Sequence, residues 1–170
     1  DMDALKSDDV DSILPLFLPV DSEAYYGIAG TAVRTLMRLV DTGLYPDKAY
    51  IMQKTEDENG ALQKVEGEKG FVSALGGKGN ALQFTASVFG QEKFASVDED
   101  ALDAIGELLN CINGLYVSEC KDGSSLELMP PSFKTGIQGF ESRKMLVLPI
   151  HIKNDCVDLM IAIGDEIEMK

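Results

Sequence analysis

Residues 101–116 read ALDAIGELLNCINGLY, and the spacing of their apolar residues predicts a helix. At about 100° per residue, one side of this helix collects its apolar residues: Ala101, Leu102, Ala104, Ile105, Leu108, Leu109, Cys111, Ile112, Leu115 and Tyr116. The opposite side carries the remaining residues: Asp103, Gly106, Glu107, Asn110, Asn113 and Gly114. The stretch therefore predicts a long helix that packs one face into the core and turns the other face outward.

The residues around this helix predict its start and the elements that come after it. Ser96 and Glu99 have the spacing of a capping box, in which each side chain bonds the other residue's free backbone amide. The helix should then start near Val97. Three strand candidates come after it: residues 125–129, 144–152 and 155–163.

The first half of the chain has a similar order. Asp21 and Ser22 can cap a helix over residues 23–40. Three strand candidates come next: residues 49–54, 70–75 and 81–88. Turns predicted at residues 59–60 and 76–80 favour antiparallel hairpins between them.

This order, a helix and three strands given twice, predicts a mixed α/β (α+β) fold with two duplicated halves. An antiparallel sheet covered by two long helices is the simplest packing for it. With 170 residues, the chain fits one domain. We expect that domain to span residues 21–170, after an acidic and then apolar lead segment at residues 1–20.

The charge of the chain excludes some kinds of partner. Its formal net charge is −14, and its basic residues form no dense run. Such a surface cannot bind nucleic acid by counterion release, and an anionic membrane would repel it. We therefore expect no nucleic-acid or membrane partner, and a protein or small molecule instead.

Three cysteines, Cys111, Cys120 and Cys156, show no metal-binding spacing and cannot all pair with one another. Neither a disulfide framework nor a zinc site is indicated. Free cysteines are most often buried, so we interpret them as reduced thiols of the core. A cytoplasmic location follows.

Glu107 and Asn110 are three residues apart and therefore neighbours on the outward face of the predicted helix. Glycine destabilises a helix interior by roughly 1 kcal/mol relative to alanine, so Gly106 and Gly114 indicate room for another backbone to approach. One interpretation is a docking face from which an acid and an amide project. The other is a solvated helix surface that ends with Gly114 as a C-terminal cap.

A wider resemblance favours the first interpretation. Residues 103–114, DAIGELLNCING, resemble the helix signature of the CheX and CheC family of chemotaxis phosphatases. Residues 126–131, LELMPP, and Gly136 resemble the next strand and loop of that family. The similarity extends from about residue 98 to residue 163, and before residue 96 it rests on the order of elements.

The resemblance implies a CheC-like fold, a six-stranded and largely antiparallel sheet packed with two or three long helices. It also implies an activity, removal of the phosphoryl group from a phosphorylated response regulator of the CheY type. The family's catalytic acid and amide fall on Glu107 and Asn110, with Asp103, Gly106, Asn113 and Gly114 on the docking face around them. Mg²⁺ would come with the phosphorylated partner, so we expect no metal site or cofactor in this chain.

Two further expectations come from the same resemblance. The first helix has Glu23 and then Tyr26, where a duplicated member of the family has a second acid and amide. One active site is therefore expected, as in CheX, and a homodimer by analogy. The alternatives are an adaptor that binds CheY without hydrolysis and an accessory domain of a larger signalling or flagellar switch protein.

Two other patterns are not assigned to a function. His151 lies in an apolar, strand-like segment without an acid or cysteine at ligand spacing, so we predict a structural or surface histidine and not a catalytic one. Residues 76–80, GGKGN, lack the Gly-Lys-Ser/Thr of a phosphate-binding loop and precede a predicted strand. We interpret them as a hairpin turn.

Overall fold

The structure is a computed structural model that describes residues 10–19, 21–120 and 125–170. Most of the lead segment's acidic part, residues 1–9, and Val20 lie outside the described residues. The described helices are α1 (Val10–Ile13), α2 (Tyr26–Leu39), α3 (Asn80–Gly90) and α4 (Glu99–Glu119), with 3-10 turns at Leu14–Phe17 and Glu23–Tyr25. The described strands are β1 (Tyr45–Pro46), β2 (Tyr50–Lys54), β3 (Asn59–Gly67), β4 (Phe71–Gly77), β5 (Leu126–Leu128), β6 (Ser132–Lys134), β7 (Phe140–Ile152), β8 (Asp155–Ile163) and β9 (Glu168–Met169).

All strand pairs of the sheet are antiparallel, and the strands occupy six positions across it. Strands β1 and β2 share one edge beside β7, and β5 and β6 share the other edge beside β3. Between them lie β7, β8, β4 and β3 in that order, with β9 pairing beside β7. The predicted antiparallel sheet packed with helices is confirmed, but it has nine described strands, of which six form the continuous path across it.

The predicted duplication is visible in how the two halves pair. Hairpins β3–β4 and β7–β8 meet through β4 and β8 at the centre of the sheet, where Ala74 lies opposite Met160. A short strand of each half then borders the other half's hairpin: β2 pairs with β7, and β6 pairs with β3. Each half thus completes the sheet of the other.

Alternating residues of the central strands enter two different apolar clusters, because successive side chains of a strand point to opposite faces. On β8, Leu159 and Ile161 pack against the helices, whereas Met160 and Ala162 pack in a smaller cluster on the other face. The larger cluster includes residues of α2, α3 and α4 as well as Val10, Ile13 and Leu14 of the lead segment. The described part of that segment therefore packs onto the domain. The start of the domain at residue 21 stays a prediction.

The predicted strand at residues 81–88 is wrong, because this segment is helix α3. Its buried residues, Ala81, Leu82, Thr85 and Ala86, have helical spacing. The Asp155 carboxylate accepts a hydrogen bond from the backbone N–H of Ala81 at 2.8 Å, a partner from 74 residues later in the chain. Residues 76–80 accordingly connect a strand to a helix and are no hairpin turn.

The predicted turn at Asn59 and Gly60 is also wrong, since both residues begin strand β3. The hairpin turn lies at the other end of β3, where the Gly70 N–H donates to the Gly67 carbonyl oxygen at 3.1 Å. Glycine is required at position 60 for close packing: a Cβ there would lie 2.4 Å from Phe140 Cζ and 2.6 Å from the Leu75 carbonyl oxygen.

Both predicted N-caps need correction. The residue that caps α4 is Asp98, whose Oδ1 accepts from the Ala101 N–H at 2.9 Å. Ser96 and Glu99 form no capping box, because Glu99 is already the first helical residue. The Ser22 hydroxyl donates to the Pro19 carbonyl oxygen and caps nothing in the helical segment after it.

The other predicted elements are present with small shifts of their ends. Helix α2 begins after a 3-10 turn and ends at Leu39, and strands β2, β4, β5, β7 and β8 occupy predicted positions. In the described part of the chain, no helix combines the length and apolar character needed to span a membrane.

Candidate functional site

Helix α4 carries the predicted site. The Asp98 cap sets its start, and its buried apolar residues hold it against the sheet: Ala101, Leu102, Ile105, Leu108, Leu109 and Ile112. With these residues inside, rotation about the helix axis turns Asp103, Glu107 and Asn110 to the surface, and all three are exposed. The predicted outward projection of Glu107 and Asn110 is confirmed as geometry.

Two residues assigned to the docking face are not on the surface. Gly106 is buried because the chain's own loop covers it: a Cβ at this position would lie 3.2 Å from Pro131 Cβ. Asn113 has 0% exposure and points toward the sheet. The buried side of α4 is therefore wider than its apolar stripe. It also includes Gly106, beside Pro131, and Asn113, which bonds polar residues of the sheet.

Gly114 is half-buried, and a Cβ there would lie 3.9 Å from Leu128 Cδ2. It cannot be a C-terminal cap, because α4 continues to Glu119 and its C-cap is Cys120. A role for Asp103 and Gly114 in docking stays a prediction.

Asn113 belongs to a buried polar cluster between α4 and the sheet. Its Nδ2 lies 2.8 Å from Gln63 Oε1 and 2.8 Å from Ser73 Oγ, and its Oδ1 lies 3.0 Å from the same hydroxyl. Gln63 on β3 and Ser73 on β4 are opposite each other in the strand register, and both are buried. Unpaired polar groups are costly in such a place, and here each of these three side chains is paired.

Gln63 connects this cluster to the exposed amide. Its Nε2 donates to Asn110 Oδ1 at 2.7 Å and to the Met129 carbonyl oxygen at 2.8 Å. Met129 belongs to the loop that also supplies Pro131 over Gly106. Asn110 is therefore anchored from below by a strand residue and is not a free surface amide.

Sequence reasoning did not find Gln63 or Ser73. A signal is present on β3, where every second residue, Ala61, Gln63 and Val65, faces the helices. Gln63 is the polar residue among the three. Residues 59–60 have the composition of a turn, so strand β3, which begins at Asn59, was not predicted from the sequence. The polar residue in its buried row was therefore not noticed.

The prediction that Cys111 lies in the core is wrong. This residue is exposed, next to Asn110 and one helical turn after Glu107. Cys120 and Cys156 are half-buried. Burial first, and then the charge of Asp158, raise the pKa of the Cys156 thiol to about 11.

The start of the first helix shows no similar pair. Glu23 lies in the 3-10 turn and Tyr26 is the first residue of α2. The lead segment packs beside this helix, where Asp11 and Arg34 form an ion pair. A single active site stays a prediction.

His151 is half-buried on β7, and its side chain contacts residues of the neighbouring edge. Its Nε2 is 2.8 Å from Asp47 Oδ2, and its ring stacks on Tyr45 with centroids 4.8 Å apart. The hydrogen bond from His151 is the main cause that lowers the pKa of Asp47. Among the described residues, no three or more His, Cys, Asp or Glu side chains are grouped so that they could hold a metal ion.

A second unusual group lies on the sheet face away from the helices. Asp57 is 4% exposed, and its Oδ2 has no hydrogen-bond partner in the described part of the chain. Burial and the neighbouring Asp158 raise its pKa to about 7. Asp57 packs on Gly76, which lies opposite Asp158 in the strand register. The two carboxyl groups are therefore neighbours.

Comparison with protein families identifies one match. Residues 60–151, more than half of the chain, match the family described as chemotaxis phosphatase CheX. The matched segment includes most of β3, all of β4 and α4, and the loop that carries Met129. No curated protein matches the sequence.

Solved structures share the fold at low sequence identity. A CheC-like superfamily protein from Shewanella sp. PV-4 is 15% identical with a TM-score of 0.69, and the match covers 85% of this chain and 99% of that one. The chemotaxis protein CheX from Desulfovibrio desulfuricans is 16% identical with a TM-score of 0.67, over 84% and 99% of the two chains. The CheX–CheY–BeF3–Mg²⁺ complex from Borrelia burgdorferi contains a chain 16% identical with a TM-score of 0.61, over 83% and 97%.

Proposed function

The chain belongs to the CheX family of chemotaxis phosphatases, and from this premise we propose that it dephosphorylates the phosphoaspartate of a CheY-type response regulator. The observation that carries the proposal is the pair on α4. Glu107 and Asn110 are exposed side by side on a helix whose apolar face is buried in the core, and Asn110 is anchored by Gln63. An amide held in this way is suited to position a reactant on a docked partner.

The partner is inferred from the family and from one related structure. The related complex from Borrelia burgdorferi joins CheX to CheY in the presence of BeF3 and Mg²⁺. A protein partner also fits a net charge of −14, which disfavours binding to nucleic acid or an anionic membrane. A cytoplasmic location is part of the same proposal.

The reaction would be hydrolysis of an acyl phosphate. A water molecule attacks phosphorus in line with the bond to the aspartate oxygen, that bond breaks, and the products are a free carboxylate and inorganic phosphate. Positioning and charge stabilisation supply most of the catalysis in phosphoryl transfer. The amide of Asn110 has no useful pKa, so it orients the water or a phosphoryl oxygen and does not act as a base.

Glu107 would fix the docked position. A carboxylate in this place can form a charge-assisted hydrogen bond with a lysine beside the partner's phosphoaspartate. Mg²⁺ would be held in the regulator's own acidic pocket and would neutralise charge on the phosphoryl group there. This chain's residues would then supply the docking contact and the oriented amide.

Dephosphorylation of a CheY-type regulator from the same organism tests the proposal. The regulator is phosphorylated with a small phosphodonor and Mg²⁺, and loss of the phosphoryl group is followed with wild-type protein, Asn110→Ala and Asn80→Ala. Asn80 is an exposed first residue of α3 and serves as the matched control. Acceleration by wild type and Asn80→Ala, but not by Asn110→Ala, is expected.

Equal decay with and without wild-type protein would contradict the phosphatase proposal. If the same regulator then bound tightly, the adaptor alternative would replace it. The other alternative, an accessory domain of a larger signalling protein, is tested separately by reading the complete gene for a fused signalling domain.

A homodimer also remains a proposal. The edge strand β2 pairs on one side with β7, and all five of its residues are exposed. An exposed edge is a template for pairing with another strand, and Tyr50, Ile51 and Met52 give it apolar contact area. Sedimentation equilibrium would decide the oligomeric state.

A further inference from the structure

We propose that Gln63 is a positioning residue of this site, which holds the Asn110 carboxamide with its NH2 group facing the docked partner. The inference rests on the proposed function for its catalytic meaning. Its structural part, the direction of the amide, can be tested without any activity. Gln63 is fully buried and 47 positions away in sequence from the residue it orients.

The direction of the Asn110 amide depends on the Met129 carbonyl. A backbone carbonyl oxygen can only accept a hydrogen bond, so the Gln63 atom 2.8 Å from it must be Nε2. The second hydrogen of Nε2 is then available for Asn110, whose atom at 2.7 Å must be the acceptor Oδ1. The Asn110 NH2 group is consequently the part that faces away from Gln63.

The other end of Gln63 is also held. Its Oε1 accepts from Asn113 Nδ2 at 2.8 Å, and the same Nδ2 lies 2.8 Å from Ser73 Oγ. If the Gln63 amide were reversed, its oxygen would meet the Met129 carbonyl oxygen, and its NH2 would meet the Asn113 NH2 unless that amide reversed as well. The contact between two carbonyl oxygens could not be relieved, so the Met129 carbonyl fixes the direction of Gln63, and Asn113 follows it.

Burial keeps these hydrogen bonds in one arrangement. Gln63, Ser73 and Asn113 are at most 1% exposed, so water does not compete for their hydrogen bonds. Asn110, by contrast, is exposed and would rotate freely on a helix surface without the bond to Gln63. The buried cluster therefore restricts rotation of the Asn110 side chain, whose amide must keep one orientation for the proposed reaction.

The orientation suits an anionic substrate. In the described part of the chain, Asn110 Nδ2 donates to no protein group, so its hydrogens are available to a ligand. An N–H donor facing a phosphoryl oxygen is favourable, whereas an outward carbonyl oxygen would repel it. The second lone pair of Asn110 Oδ1 can still accept from a water molecule.

The structural part is tested by NMR on the unmodified protein. The side-chain NH2 signals of Asn110 and Gln63 are assigned by their loss in Asn110→Ala and Gln63→Met, and their exchange with water is measured. Fast exchange for Asn110 and slow exchange for Gln63 are expected. Slow exchange for Asn110, or fast exchange for Gln63, would overturn the proposed orientation even if the protein is a phosphatase.

The functional part is tested by a double-mutant cycle. Gln63→Met keeps the side-chain length and removes the hydrogen bonds, and Gln138→Met makes the same change at an exposed position before β7. We expect kcat to fall roughly 10- to 100-fold in Gln63→Met with little change in KM, and not to fall in Gln138→Met. In an Asn110→Ala background the Gln63 change should have no further effect, because its action passes through Asn110.

Two kinetic outcomes would overturn the positioning role: wild-type kcat in Gln63→Met, or the same fold loss in the presence and absence of Asn110. A lack of activity in wild-type protein would contradict the proposed phosphatase function instead. The NMR measurement would then still decide the orientation.

Discussion

Gln63 Nε2 lies 2.7 Å from Asn110 Oδ1, so a buried strand residue and an exposed helix residue are joined by one hydrogen bond. The bond gives the surface amide a defined direction. It also ties the candidate site to the core of the sheet, through Asn113 and Ser73. Changes at the surface and changes in the core can therefore be distinguished by experiment.

Replacement of Asn110 by alanine should abolish most of the proposed activity and leave the fold intact. The side chain is exposed, and its contact with the core is the hydrogen bond from Gln63, whose Nε2 also donates to the Met129 carbonyl oxygen. Loss of the side chain removes the group that orients the reactants. We expect dephosphorylation to slow roughly 100-fold. Circular dichroism and a thermal melt serve as folding controls, and a folded variant with wild-type turnover would refute the assignment.

Glu107→Gln should weaken docking more than chemistry. The substitution keeps the shape and removes the charge that would pair with a lysine of the regulator. We expect affinity for the phosphorylated regulator to fall about tenfold, and the salt dependence of binding to weaken. Calorimetry at two ionic strengths measures both, with Glu92→Gln, another exposed glutamate, as the control. Unchanged affinity and salt dependence would argue against the lysine pairing.

Asp57→Asn should stabilise the protein above neutral pH. Burial raises the pKa of Asp57 from 3.8 to about 7, so the folded protein keeps a proton that the unfolded chain releases. The stability that this proton contributes is complete below pH 3.8 and is lost as the pH rises to about 7. Asparagine imitates the protonated acid, so the stability of the variant relative to wild type should rise by about 3 kcal/mol from about pH 5 to about pH 8.

Urea unfolding at these two pH values measures the difference. Asp158, whose pKa is also raised by burial, shares the site, and Lys78 opposes the shift. Glu66→Gln, at an exposed position of β3, is the control for removing an acid. A parallel pH dependence in wild type and Asp57→Asn would show that Asp57 ionises normally in the folded protein.

Gly60→Ala tests the placement of Gly60 in strand β3, where a turn was predicted. A methyl group there would lie 2.6 Å from the Leu75 carbonyl oxygen, which is held in the β3–β4 ladder, so the strands must separate. We expect a loss of about 2–4 kcal/mol in the free energy of unfolding. Gly43→Ala has only an ordinary contact, 3.4 Å to Asp41 Oδ1, and is the matched control. If both variants melt alike, Gly60 is not packed as the structure has it.

Alkylation of Cys111 should block docking. Its exposed thiol lies beside Glu107 and Asn110, whereas Cys120 and Cys156 are half-buried and the raised pKa of Cys156 makes it a poor nucleophile at neutral pH. Treatment with a bulky maleimide at neutral pH should label mainly Cys111, as peptide mass spectrometry would show. Binding of the regulator should then be lost in wild type and kept in treated Cys111→Ser. Normal binding by the labelled protein would place the docking surface elsewhere.

Some elements could be predicted because local signals agreed with the packing. The apolar rhythm of residues 101–116 required one face in the core, and it placed Glu107 and Asn110 outside. The strands β7 and β8 are predictable from continuous apolar runs, which are buried on both faces. Their pairing as a hairpin agrees with the short turn between them.

Other elements were missed because distant residues determine them. Residues 81–88 are apolar enough for either a strand or a helix, and the carboxylate of Asp155 supplies a hydrogen-bond partner at the start of the helix. Asn59 and Gly60 have the composition of a turn, but Gly60 is needed beneath the ring of Phe140. Neither partner lies within the range of a local pattern.

The helix that carries the site and the exposed acid and amide on it could be derived from the order of the residues, because they depend on the periodic burial of one helix. The fold class came from the order of the predicted elements and from the family resemblance, although one predicted strand is a helix. The polar residues behind the amide could not be derived in this way, since they are brought together by the folding of distant segments. Gln63 and Ser73 reach Asn113 and Asn110 because the sheet brings β3 and β4 beneath α4. The donor and acceptor pattern of that buried cluster, set by one carbonyl oxygen of Met129, then gives the amide its direction.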